Sequence, residues 1–279
     1  MKMDIEPIKP AIGARIHVDR ADFTRPELAE QCAELLEKRQ VLVFPRLNAS
    51  DEEQLAFTDS LGGRINLTGE SAGDSPDVYN VTLDPKLNKF PATVLSTFFY
   101  HMDGLVGKRD MTPPKATVLS GRVVPAEGGD TEFASTYAAY EHLPQSEKDA
   151  FEELQVEHSM YAGCRNFLDQ LPQEHVEMIK GLPVNTHPLV WKHDSGRKSL
   201  VIGLTADKVV GMEPAEGRAL LARLTEWAGQ PDFSYKHTWE VGDLVIWDNP
   251  GTLHRARPYD KSSGRSMHRT SVAGHEMVK

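Results

Sequence analysis

Hydrophobic and polar positions alternate in two different rhythms along this chain. Near the N-terminus, Ile16-His17-Val18-Asp19 alternates weakly, as an edge strand does. Thr24-Arg25-Pro26-Glu27 has the spacing of a capping box with proline in the first turn. Leu28, Cys32, Leu35 and Leu36 follow at helical intervals, which predicts a helix to about Arg39. Val41-Leu42-Val43-Phe44 is apolar throughout and reads as a short buried strand. Ser50 with Glu53 repeats the capping signal, and Leu61-Gly62-Gly63 closes a second helix. From about Ile65 the period shortens to two, with Pro and Gly between short runs such as Val78 to Leu83 and Ala116 to Leu119. Asp84 to Ala92, with two prolines and two lysines, reads as a mobile loop. Further helices are expected over Ser146 to Leu154 and Arg218 to Trp227, the latter closed by Gly229, and Tyr235 to Gly274 is strand-rich. The pattern describes a mixed α/β chain, mainly β, with helices flanking a β core.

Length and charge narrow the function. A chain of 279 residues, 39% hydrophobic, fits one large barrel-like domain over 1–279. Its formal charge of −10 argues against a nucleic-acid partner. No apolar run approaches the roughly 20 residues that span a bilayer. Met1 to Pro10, with charges and two prolines, does not read as a signal peptide. Cys32 and Cys164 offer neither a disulfide framework nor metal spacing, so a reduced, cytoplasmic setting is expected.

Four short motifs carry chemistry. His101-Met102-Asp103, read as a strand, turns an imidazole and a carboxylate to one face. With His254 they make the two-histidine, one-carboxylate set of non-haem Fe(II) oxygenases. His17-Val18-Asp19 is a second His-x-Asp, so the pattern alone is weak. Gly128-Gly129-Asp130-Thr131 is a tight turn that delivers a hydroxyl at the start of a strand, or simply a hairpin. Gly242 to Asn249 is an apolar strand that breaks at Asp248-Asn249 before His254, a residue that could equally be structural. In Arg265-Ser266-Met267-His268-Arg269, strand geometry puts both arginines on one face, either in solvent or inside, where they need anions.

The ordered set, together with Pro113-Pro114-Lys115-Ala116-Thr117 and Ala138-Ala139-Tyr140, resembles the taurine dioxygenase and phenoxyacetate-herbicide dioxygenase family of Fe(II)/2-oxoglutarate enzymes, from about Val41 to Gly274. The resemblance implies a double-stranded β-helix, or jelly roll, with helices outside, and a dimer or tetramer. It implies iron on His101, Asp103 and His254, and the distal carboxylate of 2-oxoglutarate on Thr131 and Arg265. Arg269 would meet an anionic group of the substrate and Tyr100 would stand beside it. O2 and 2-oxoglutarate would then give a hydroxylated product, succinate and CO2. The chain departs from the taurine enzyme at Tyr100, where that enzyme has Trp, at Ser96 to Phe99, and at Arg64-Ile65-Asn66-Leu67-Thr68, where it has a substrate-binding His. A more apolar carboxylate, sulfonate or sulfate, beside Phe98, Phe99 and Tyr100, is expected. Other readings are desaturation at the same site, a halogenase (disfavoured by Asp103), a zinc hydrolase that leaves Thr131 and Arg265 idle, and a non-catalytic jelly-roll binding module.

Overall fold

The computed structural model describes residues 2–66, 77–84, 86–87, 91–107 and 112–279, without the side chains of 91–93. Why the strands are apolar is visible in their two faces. Val41 and Val43 point into an interior cluster with Leu119, Phe133, Trp239, Val245, Trp247 and Met267. Leu42 and Phe44, between them in sequence, point the other way to Leu28, Cys32, Leu36 and Phe57. Leu244 and Ile246 join that outer cluster as Val245 and Trp247 join the inner one. A strand covered on both sides cannot alternate with polar residues, hence the unbroken apolar runs. Each fully buried side chain of this kind stabilises the fold by about 1.5–3 kcal/mol.

These strands form a seven-stranded sheet in the order Asp4–Pro7, Ala14–His17, Val41–Phe44, Leu244–Asp248, Ala116–Val123, Ser266–Val272, Tyr79–Val81. All neighbours are antiparallel except Ala14–His17 beside Val41–Phe44. A smaller sheet, Ser234–His237, Thr131–Ser135 and Thr252–Ala256, faces it across the inner cluster. Helices Pro26–Arg39 and Asp51–Gly62 cover the back of the larger sheet. Helices Thr136–Glu141 and Pro214–Ala228 cover the back of the smaller one, over Ala134, Leu221, Leu224 and Leu253. The result is a double-stranded β-helix with helices on both outer faces.

Local details agree with the sequence signals in most places. Ser50 and Glu53 form the expected reciprocal capping box, at 3.2 and 2.7 Å. The Thr24 capping box does not form: Pro26 takes the first helical position, so Arg25 is the N-cap and Thr24 lies one residue outside. The predicted helices near 146 and 218 are Gln145–Phe151 and Pro214–Ala228. In the expected loop Asp84 to Ala92, residues 85 and 88–90 lie outside the described residues, as do Leu67 and Thr68; a short helix begins at Pro91. Gln54, fully buried on the second helix, accepts from Ser120 Oγ at 2.7 Å and donates to the His268 carbonyl at 3.0 Å. That amide fixes the helix to the two strands carrying the chemistry. Among the described residues no helix is long and apolar enough to cross a membrane, and Cys32 and Cys164 are buried free thiols.

Candidate active site

His101 and His254 face each other across a single antiparallel bridge, with N–H to carbonyl distances of 3.1 and 3.0 Å in the two directions. Residues paired in this way project to the same side, so the rings lie 4.1 Å apart between centroids, their planes tilted by 47°. The His101 Nδ1–H donates to the Phe99 carbonyl at 2.8 Å, which leaves Nε2 as the bare nitrogen. Asp103 Oδ1 lies 3.9 Å from that Nε2, and Asp103 Oδ2 lies 3.9 Å from His254 Nε2. Among the described residues this is the one group of three whose ligand atoms could hold a metal, all within 4.8 Å of one another. His17 is on an outer strand beside Glu6 and belongs to no such group.

One expectation is corrected here. Asp103 is not in a strand: only His101 makes the bridge, and the chain turns at Asp103-Gly104. Pairing stops because Gly104 adopts φ +83° hard against Pro113 and Pro114, where a Cβ would lie 2.7 Å from a proline carbon. The Asp103 main chain is held by the Asn249 side chain.

The electrostatics prepare the three groups for a cation. Burial lowers the pKa of His101, and that of His254 to about 3, so both rings are neutral with free lone pairs. Burial by itself would push the Asp103 carboxyl up. Arg269, its guanidinium 3.6 Å away, is the largest opposing influence, and the group is held below its ordinary value. Two neutral imidazoles and a carboxylate with their donor atoms converging form a set that fits a divalent ion.

A second group of buried polar side chains surrounds Arg265 and Thr131. Arg265 is 3% exposed, yet no carboxylate among the described residues pairs with it. It donates to the Gly129 carbonyl at 3.2 Å, lies 4.8 Å from the centre of the Tyr259 ring, and keeps a buried Nε without a partner. Burial lowers its pKa, as expected for a guanidinium without a counter-ion. Gly129 permits the approach: at φ +72°, a Cβ there would lie 3.1 Å from Arg265 Nε. Thr131 Oγ1 accepts from Trp239 Nε1 at 2.9 Å, so its own proton remains available to an acceptor. A carboxylate fits this pair of donors. Within the strand Ser266–Val272, Met267 packs in the inner cluster and His268 turns outward to Asp51 at 2.8 Å, as alternation predicts, while Arg265 lies just before the strand and is buried against Gly129.

Tyr100 is not brought to the cluster. It alternates with His101 and therefore projects to the back of the smaller sheet, where Arg255 stacks on it at 4.1 Å. There it lines a separate cavity of about 580 Å³ with Phe99, Leu204 and Arg218. Of the three aromatics, Phe98 stands edge-on to Tyr259, 5.8 Å away, on the Arg265 side. Trp239 and Tyr259 were not singled out by the sequence: Trp239 lies 108 positions from the Thr131 it donates to, and nothing local marks Tyr259 as the ring beside Arg265.

Residues 4–271 match the model of the "Taurine catabolism dioxygenase TauD, TfdA family". The chain belongs to that family. It is 34% identical over 292 residues, the whole of both chains, to the alpha-ketoglutarate-dependent 2,4-dichlorophenoxyacetate dioxygenase of Cupriavidus pinatubonensis. It is 32% identical over 277 residues to the (S)-phenoxypropionate/alpha-ketoglutarate-dioxygenase of Sphingobium herbicidovorans, covering 97% of this chain and 95% of the relative. Among solved structures, AAD-2 in complex with Mn(II) and N-oxalylglycine superposes with a TM-score of 0.81 at 32% identity, over 100% of each chain. The family model, these relatives and the His-Asp-His cluster make the protein an Fe(II)- and 2-oxoglutarate-dependent dioxygenase.

Proposed function

We propose that this single-domain dioxygenase hydroxylates a small aryloxyalkanoate-like anion. His101 Nε2, His254 Nε2 and the Asp103 carboxylate hold iron in this reading, and Arg265 with Thr131 binds the distal carboxylate of 2-oxoglutarate. The observation that carries it is a triad able to ligate a metal together with a buried guanidinium, Arg265, that has no carboxylate partner among the described residues. When bound, iron would activate O2 with 2-oxoglutarate as the two-electron reductant, one oxygen atom going into succinate as CO2 leaves and the other into the product. The protein's part is to bind and orient. Arg265 and Thr131 fix the cosubstrate's far end by charge-assisted hydrogen bonds. Arg269 lies against Asp103, 3.6 Å away, and also over the Tyr79 ring at 5.1 Å. With a cation held by the triad, Asp103 would no longer depend on Arg269 for its counter-charge, and the guanidinium would be free to meet the substrate's carboxylate.

The aryloxy reading is supported by the two relatives, both named for aryloxy acids and aligned over nearly the whole chain. Hydroxylation of the carbon beside an ether oxygen gives an unstable hemiacetal, whose aryl-oxygen-to-carbon bond breaks to release a phenol while the former hydroxyl becomes the carbonyl of a 2-oxo acid (glyoxylate from an aryloxyacetate). The test is succinate release over a panel of aryloxyacetates, alkyl sulfates and taurine, with phenol assayed in parallel. Stimulation by aryloxyacetates with matching phenol supports the reading. Stimulation by a sulfate or sulfonate instead overturns the substrate class, and no succinate from any of them overturns the activity.

Arg265→Ala is expected to weaken 2-oxoglutarate binding by about 2–4 kcal/mol, the penalty for a buried carboxylate left unpaired. Iron binding should persist in this variant. Titration of the anaerobic iron complex with 2-oxoglutarate reads both.

A further inference from the structure

Three ligands must converge from two sheets, and only two of them are held by sheet pairing. His254 is in a strand of the smaller sheet and His101 is bridged to it. Asp103, in the turn that follows, has no strand partner. What takes the partner's place is one side chain. Asn249 Oδ1 accepts the Asp103 N–H at 3.1 Å, and Asn249 Nδ2 donates to the Asp103 carbonyl at 2.9 Å. An exchange of both bonds with one residue is what a narrow antiparallel pair provides, and here a primary amide supplies it. The same Nδ2 lies 3.3 Å from the Pro114 carbonyl, so the clamp also captures the segment against which Gly104 turns.

The clamp is itself rigid. Asn249 is fully buried and directly follows the strand Leu244–Asp248, where its N–H donates to the Lys115 carbonyl at 3.0 Å. It therefore ties Asp103 to the larger sheet while the histidines belong to the smaller one. The Asp103 carboxylate has little else to locate it: Thr117 Oγ1 at 3.4 Å is long for a hydrogen bond, and Arg269 is 3.6 Å away. Neither contact fixes the main chain from which the carboxylate swings.

We propose that Asn249 is a positioning residue for the metal site, a side-chain substitute for the missing strand that sets how far the Asp103 carboxylate reaches toward the two imidazoles. The inference rests on the reading of Asp103 as a ligand, and the test separates the two. Mn(II) affinity is measured by electron paramagnetic resonance on the whole protein without cosubstrate, for Asn249→Ala, Asn249→Asp and Asp103→Ala, with the metal-free melting temperature as a check on folding. Both Asn249 variants are expected to bind Mn(II) about 10- to 100-fold more weakly, the usual cost of losing a partner of a ligand. 2-Oxoglutarate affinity at saturating Mn(II) should move much less, because Arg265 and Thr131 are untouched. Asn249→Asp keeps the size, the planarity and the acceptor for the Asp103 N–H, and puts a carboxylate oxygen in place of the donor that faces the Asp103 and Pro114 carbonyls, so it carries the test should Asn249→Ala fail to fold. Mn(II) affinity within about twofold of wild type in a folded Asn249 variant overturns the inference, if Asp103→Ala has lost it. Unchanged affinity in Asp103→Ala overturns the ligand reading, and the inference with it.

Discussion

His101→Ala yields a folded protein that no longer holds a divalent metal and releases no succinate above background. The ring it removes contributes one of three converging donors, and its Nε2 is kept bare because Nδ1 is committed to the Phe99 carbonyl. Loss of a mere supporting partner costs about 10- to 100-fold in metal affinity, so loss of the ligand itself must exceed about 100-fold. Stability in the metal-free state should change little, since the main-chain bridge to His254 does not involve the imidazole. Asp103→Ala should behave alike, whereas His17→Ala, on the outer strand beside Glu6, should leave both metal binding and turnover intact. Metal titration and coupled succinate assay on these three variants check the assignment. Full turnover in His101→Ala would remove iron from this site.

How much of this was written in the sequence differs between the elements and the site. Short apolar runs gave the strands correctly because burial on two faces leaves no room for polar residues at Val41–Phe44 or from Leu244 to Trp247. Capping chemistry was right where the side chain decides, at Ser50, and wrong at Thr24, where the fixed φ of Pro26 decides instead. The motifs placed His101, Asp103 and His254 together, and the geometry brings them there, but for a reason that local spacing does not contain. A strand was assumed for all of His101-Met102-Asp103, while the structure has a bridge, a turn and an amide from 146 residues downstream. Tyr100 shows the converse: period-two alternation, taken seriously, already sends it to the face opposite His101. Arg265 and Thr131 were legible as residue types, yet the partners that surround them, Gly129 at Arg265 and Trp239 at Thr131, come from 136 and 108 positions away and only the fold brings them near.

Behind the clamp lies a buried ion pair whose loss is the second large effect. Lys115 Nζ is 3.1 Å from Asp248 Oδ1 and 2.5 Å from Glu37 Oε1, and Asp248 is fully buried. Burial drives the Asp248 carboxyl above its ordinary pKa, and nearby Glu37 adds to this, with Lys115 opposing both. Replacing Lys115 with Met strands that carboxylate in an apolar setting, and breaking a buried pair from one side costs about 3–5 kcal/mol. For a chain of this size the melting temperature should fall by roughly 6–20 °C. The sign of the pH dependence follows from linkage. With its cation gone, folded Asp248 holds its proton to still higher pH than the unfolded chain, whose aspartates titrate near about 3.9. Between those two values the native state binds more protons, so stability falls as pH rises, and the deficit of Lys115→Met is smallest in acid and grows toward neutrality. A second change, Asp248→Leu, removes the stranded charge and should recover most of the loss. Because Asp248 and Lys115 adjoin Asn249 in the strand and the turn it grips, the single variant should also loosen the metal site, whereas a pair serving stability alone would leave Mn(II) affinity untouched at temperatures well below melting.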